Sequence, residues 1–242
     1  MSSFAGLTDV HLQVGGGEPL SASLVARVEE VCTRIEDAGA KDLTLVVHLR
    51  GVDPADRAEP WPHETAIHLV TRWERVLHRL ERLPAVVIAV VDEGVSRGPA
   101  FDLLLATDYR LGVAQARLEL AQSAGAAWPG LALYRLTNQL GAPAARRLLV
   151  LHEALSAARA FEIGVIDEVV ADEHDAVVRV REVLHALNPV RGKEFAIRRQ
   201  LILEAGSTTF DDALGPHLAA CDRSLRLARQ GLDAASVPGG RL

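Results

Sequence analysis

The sequence predicts an α/β fold, in which helices cover a mainly parallel sheet and a helical C-terminal region follows. Three observations carry the prediction. Strand and helix patterns alternate over the first 95 residues. One strand candidate, Leu43–Val47, is a continuous β-branched and leucine run rather than an alternating one. From about Glu173 onward the apolar periodicity is helical throughout. Such alternation implies βαβ crossovers, which a parallel sheet with both faces covered accommodates.

Val10, Leu12 and Val14 alternate as in a half-buried strand that Gly15-Gly16-Gly17 ends. Ser21 or Ser23 caps a helix running to about Ala38, with Leu24, Val25, Val28, Val31, Cys32 and Ile35 on its apolar face. Leu43–Val47 is the second strand. A proline-rich loop (Pro54, Pro60, Pro62) leads to a helix expected from His63 to Leu83, whose stripe is Ile67, Val70, Trp73, Leu77 and Leu80. Pro84 introduces a third strand, Ala85 to Val91, and a short apolar helix covers Phe101 to Ala106. Two short strands, Tyr109–Val113 and Arg117–Leu120, precede a helix ending at Leu140 and another from Pro143. A helix–strand unit then ends in the run from Val165 to Val170. The last helix is expected to open with a capping box of Thr208 and Asp211 and to carry a stripe of Phe210, Leu214, Leu218, Cys221 and Leu225. The tail, residues 231–242, is expected to be flexible.

Composition narrows the function classes. The chain has 242 residues, 49% of them apolar, and a formal charge of −6. That acidic balance argues against a nucleic-acid partner. No apolar run approaches the roughly 18 residues of a membrane helix, and the N-terminus lacks a signal-peptide core. Cys32 and Cys221 read as thiols of a reducing, cytoplasmic compartment. Lys41 and Lys193 are the only lysines among many arginines, so lysine-based covalent catalysis has two candidates.

Several motifs fail. In a dinucleotide fingerprint the third glycine would fall at Leu20, so the glycine run reads as a flexible turn. Tyr134 is followed four residues on by Asn138 rather than by lysine. His63 and His68 are five apart, which turns a helix by about 500° and prevents both rings from sharing one metal. No metal site is expected.

Between Arg82 and Val170 the signals become specific. The strand Leu83–Val91 leads to Gly94 and then to Gly98-Pro99-Ala100-Phe101-Asp102-Leu103, with Asp108-Tyr109-Arg110 beyond. Trp128-Pro129-Gly130 and the stretch Leu155–Val169 follow. This ordered set resembles the crotonase (enoyl-CoA hydratase/isomerase) superfamily, whose corresponding elements are a K-P-V-I-A-A-V-x-G strand, a glycine-run turn and helix, an I-P-G element and an I-S-A-x-x-A-x-x-x-G-L-V stretch. The resemblance implies a crotonase-like ββα spiral core over residues 1–172 and a helical, oligomerising region over 173–242. It also implies an acyl-CoA substrate, no separate cofactor, and a trimer or hexamer. The segments Trp73–Pro84, Trp128–Thr137 and Ala196–Phe210 resemble one branch, the B component of the dihydroxyphenylglycine pathway of glycopeptide antibiotic biosynthesis. That branch implies an accessory to a type III polyketide synthase making 3,5-dihydroxyphenylacetyl-CoA.

Family chemistry requires two backbone N–H groups on the thioester oxygen and one or two carboxylates that move protons. The resemblance carries these roles over unevenly. The first oxyanion donor falls on Ala55, in Asp53-Pro54-Ala55-Asp56 on a shortened loop. The second falls on Pro99, which has no N–H, leaving Gly98 or Ala100 as stand-ins. Asp102 matches the first carboxylate, and a helix N-terminal acid held by the dipole is the other reading of it. The second carboxylate position is Gln122, or Ala121 if one residue is inserted, and neither can act as an acid or base; Glu119 is the nearest alternative and is expected to point off a strand. Trp128, Pro129 and Gly130 match the substrate-pocket element, while Trp73 reads as core or pocket wall. Arg198-Arg199 reads as a solvated helix face or as a contact to CoA phosphates. Two functions follow: a dehydratase or isomerase with Asp102 as proton shuttle, or a degenerate fold that binds the synthase or a homologous hydratase.

Overall fold

The computed structural model describes Phe4 and residues 10–39, 43–56, 66–123, 125–152, 154–187 and 192–236. In chain order the elements begin β1 (Val10–Gly15), α1 (Ala22–Asp37), β2 (Thr44–Arg50), α2 (Ile67–Leu80), β3 (Val86–Val91), β4 (Gly94–Arg97) and α3 (Pro99–Leu105). They continue β5 (Tyr109–Val113), β6 (Ala116–Glu119), β7 (Gln122–Ser123), β8 (Ala126–Ala127), α4 (Leu131–Leu140) and α5 (Ala142–Leu151). The last are β9 (Leu155–Ser156), α6 (Ala157–Glu162), β10 (Glu168–Val170), α7 (Glu173–Ala186), α8 (Gly192–Ala205) and α9 (Phe210–Ser236).

Five strands form a wholly parallel sheet in the order β1-β2-β3-β5-β10. Its centre is β3, all six residues of which are buried, as a continuous apolar run requires. One face packs on α1 and α2 through Val47, Val87, Ala89, Val28, Trp73 and Leu77. The other face, bearing Val46, Ile88 and Val90, is covered by Phe4 and by Ala176, Val180 and Val183 of α7. The helical stretch from residue 173 therefore begins with a helix that belongs to the core. A second sheet, β4-β6-β9, and the β7–β8 hairpin stand beside the main one.

Three chain segments cross where β1, β2 and β3 end, and glycine permits it. Gly16 donates its N–H to Arg50 O at 2.5 Å, and a Cβ there would lie 2.3 Å from Val95 O. A Cβ on Gly51 would lie 2.0 Å from Glu93 O. The glycine run after β1 is thus a close-packed crossing, not simply a flexible turn. Val52 and Val95 exchange backbone hydrogen bonds at 3.0 and 2.8 Å just beyond it, which aims β4 toward α3. Gly51→Ala is expected to cost about 2 kcal/mol through overpacking and to lower the melting temperature by about 4–8 °C, measurable by calorimetry.

Several sequence expectations change in the structure. Within the described residues α2 starts at Ile67, and Ile67 is 78% exposed although it continues the apolar stripe. It lies in the first turn, ahead of the contact with α1; His63 lies outside the described residues and His68 is exposed. The α9 cap is Thr209 with Asp212, one position later than expected, because the Thr208 hydroxyl donates to Glu204 O of α8 at 3.0 Å. α9 runs to Ser236, through the first part of the tail expected to be flexible, and residues 237–242 lie outside the described residues. The short strands β4, β7, β8 and β9 were not legible as strands.

Buried arginines fasten the layers. Arg110 donates to Leu105 O and Thr107 O at the end of α3, to Val165 O, and to the Gln139 side chain. Arg199 of α8 is buried, donates to Leu83 O and Ala85 O, and pairs with Asp108 at 2.7 Å. It is neither solvated nor free for CoA phosphates. Arg198 bonds Glu194 and Ser224.

Candidate active site

Asp102 sits in the first turn of α3, whose start is set by three residues in sequence. Gly98 is the N-cap residue at φ 56 and ψ −129, a backbone conformation open to glycine. Pro99 follows at the first helical position, where a missing N–H costs nothing. Asp102 then returns its own N–H to Gly98 O at 3.0 Å, closing the first turn.

Asp102 is 6% exposed, and its carboxyl lies against α2. Trp73 Nε1 donates to Asp102 Oδ2 at 3.0 Å. Burial pushes the Asp102 pKa up to about 7; the Trp73 bond and the Arg135 charge pull it down, and the neighbouring Glu74 charge raises it. The helix dipole favours ionisation, but loss of water outweighs it.

Two turns of α2 supply the charges around this acid. Glu74 and Glu81 are seven residues apart and share one face. Both meet Arg135 of α4, at 2.9 and 2.6 Å, and Arg135 is itself buried. Glu74 also accepts the N–H of Leu131 at 3.3 Å, which ties the start of α4 to α2. Trp73, Glu74 and Arg135 were not singled out as site residues in the sequence. One signal was available for Trp73: a buried indole N–H needs an acceptor, and a lone apolar-flanked acid supplies one.

The remaining predicted residues fare differently. The N–H of Ala55 donates to Asp53 Oδ1 at 2.8 Å, so this Asx turn engages the donor that the resemblance assigned to the thioester oxygen. On the short loop that N–H faces the Asp53 carboxylate. Pro99 and Ala100 are buried in the first turn of α3, where Pro99 has no N–H and Ala100 carries the next one. Gln122 is exposed on β7 and borders a narrow cavity with Phe101, the residue next to Asp102. Glu119, the last residue of β6, pairs with Arg97 of β4 at 3.7 Å. Trp128 is half-buried and packs beneath Gly130, where a Cβ would meet the indole at 2.7 Å; Pro129 between them is exposed. Among the described residues no cluster of three or more histidine, cysteine, aspartate or glutamate side chains could hold a metal. None of the described helices is long and apolar enough to cross a membrane.

A buried acid near neutrality, at the mouth of a helix that follows a parallel-sheet strand, can take and return one proton at pH 7. The enoyl-CoA hydratase/isomerase family model matches residues 51–199, a span that includes every part of this site. A protein of Amycolatopsis orientalis named enoyl-CoA-hydratase is 44% identical over 221 residues, covering 90% of this chain and 96% of that one. An enoyl-CoA hydratase/isomerase structure from Marinobacter aquaeolei has a TM-score of 0.73 at 16% identity, covering 89% of this chain and 88% of that chain. An enoyl-CoA hydratase structure from Mycobacterium smegmatis has a TM-score of 0.73 at 21% identity, covering 89% and 87%. The two structures establish a crotonase-like fold. The family model and the Amycolatopsis relative go further: the chain belongs to the enoyl-CoA hydratase/isomerase, or crotonase, family.

Proposed function

We propose that this chain is a dehydratase or isomerase acting on a polyketide-derived acyl-CoA, assisting a type III polyketide synthase in forming 3,5-dihydroxyphenylacetyl-CoA. The observation that carries the reading is the buried Asp102, whose carboxyl is tuned by its surroundings to about 7. At that value one group both accepts the α-proton of a thioester and returns it to a leaving hydroxyl or to another carbon. With Gln122 in place of a second carboxylate, Asp102 alone has to move the proton, in isomerisation and equally in dehydration or its reverse, the addition of water. Gly98 and Ala100 stand nearest in sequence to the missing donor at Pro99 and would have to polarise the thioester oxygen. The identity of 44% to the Amycolatopsis protein supports the acyl-CoA substrate class.

The engaged N–H of Ala55 and the absent N–H of Pro99 favour a second reading, an accessory that binds the synthase or a homologous hydratase. One experiment separates the two. The synthase is assayed for 3,5-dihydroxyphenylacetyl-CoA with the parent protein and with Asp102→Asn, alongside exchange of acyl-CoA α-protons in deuterated water. Loss of both stimulation and exchange supports the enzyme; undiminished stimulation by the variant establishes the accessory.

The C-terminal helices support self-association, with a trimer as the expected state. On α9, Phe210 is 77% exposed, Leu218 57% and Leu225 59%, and Ile202 of α8 is 75% exposed. Apolar surface of that extent along one helix stripe favours burial against another copy. Sedimentation is expected to give three times the mass of the 26.0 kDa chain, and Leu218→Glu to shift it toward the monomer.

A further inference from the structure

We infer that Trp73 is a positioning residue for Asp102: its indole N–H, 3.0 Å from Oδ2, fixes the carboxyl rotamer and leaves Oδ1 as the oxygen that carries the exchangeable proton. The inference rests on Asp102 acting as the proton shuttle. An indole N–H donates and never accepts. Oδ2 therefore serves as the acceptor in both protonation states, as a carboxylate oxygen when ionised and as the carbonyl oxygen of the neutral acid, where the proton resides on the other oxygen. Oδ1 takes no hydrogen bond from the protein among the described residues.

The geometry around the pair is built for this. Trp73 is 1% exposed and belongs to the core cluster shared by α1, α2 and the sheet, so the ring cannot turn away without opening the core. Asp102 is fixed by the first turn of α3. The charged groups bearing on it are Glu74 of α2, which opposes ionisation, and Arg135 of α4, which favours it. Arg135 is itself neutralised by Glu74 and Glu81. Burial bears most on the carboxyl, and the single donor that reaches it comes next, ahead of either charge. A hydrogen bond to the charged form favours that form, so the bond lowers the Asp102 pKa against the upward push of burial.

The test removes the donor and keeps the shape. Trp73 is replaced by β-(3-benzothienyl)alanine, in which sulfur stands where the N–H was, and in parallel by Trp73→Phe. The Asp102 carboxyl is followed by carbon-13 NMR, assigned by its absence in Asp102→Asn, and α-proton exchange of an acyl-CoA is measured from pH 5 to 9. The carboxyl midpoint is expected to rise by about one pH unit in both variants, and the acid limb of the exchange profile to move with it. A carboxyl midpoint unchanged in the benzothienyl protein overturns the inference. A midpoint that moves while the parent shows no exchange at any pH upholds the Trp73–Asp102 coupling and overturns the proton-shuttle reading beneath it.

Discussion

Asp102→Asn is expected to abolish α-proton exchange, by at least a hundredfold, and at the same time to make the protein more stable above neutral pH. The sign follows from the raised pKa. Below pH 4 the carboxyl is protonated in both folded and unfolded chains and contributes nothing to the difference. Between about 4 and 7 the unfolded chain ionises while the buried group does not, so stability falls as pH rises. Above the folded value of about 7 the loss is complete, about 4 kcal/mol for a rise from 3.8. An amide accepts the Trp73 hydrogen bond and has nothing to ionise. The gap in melting temperature between variant and parent should therefore open from pH 4 to pH 7 and level off beyond. A gap that does not vary with pH would show that Asp102 ionises freely in the folded protein and would remove the physical basis of its role as a shuttle.

Arg199→Leu is expected to have the largest effect on stability in the molecule. Arg199 reaches from α8 into the base of the main sheet, where it meets Asp108 and the carbonyl oxygens of Leu83 and Ala85. Asp108 also accepts the Val87 N–H at 2.8 Å and is 12% exposed. Burial already raises its pKa, and Arg199 is the first of the groups that hold it down. Removing the guanidinium leaves a buried carboxylate without its counter-charge, which costs about 3–5 kcal/mol. The variant should melt roughly 10 °C lower, and it should recover part of that loss on acidification, as Asp108 takes a proton. Limited proteolysis should cut first before α8, because the anchor that joins the C-terminal helices to the sheet is gone. Equal melting temperatures for variant and parent would mean that α8 is held by its apolar contacts alone.

Much of the architecture was legible because its signals are local and repeated. The run Val86–Val91 has no alternation, and a strand without alternation is buried on both faces; β3 is the centre of the sheet. Ser21 accepts the N–H of Leu24 at 3.1 Å and starts α1 where a short polar side chain before an apolar face said it would. Boundaries were legible only where one residue type decides them. At α9 two adjacent threonines compete, and the hydroxyl of the first is claimed by the preceding helix, so the cap moved by one residue.

The site divides along the same line. That Pro99 has no N–H to give and that Gln122 has no carboxylate are facts of residue type, and no fold can alter them. The fate of Ala55 was different: its N–H is an ordinary donor in the sequence, and only the turn shows it facing the Asp53 carboxylate. Arg199 read as a surface residue beside Arg198 because helix periodicity cannot tell which face of a C-terminal helix will find a buried acid 91 residues earlier.

The sequence by itself determined the fold class, the family resemblance and the chemical identity of the single acid at the start of α3. Those are properties of composition, periodicity and order along the chain. Tertiary structure alone decided what that acid is. The same Asp102 in an exposed first helical turn would be an ordinary carboxylate held by the dipole. Packed against α2, with water excluded and one indole N–H as its donor, it has a pKa of about 7, because the protein interior penalises its charge more than the helix end rewards it.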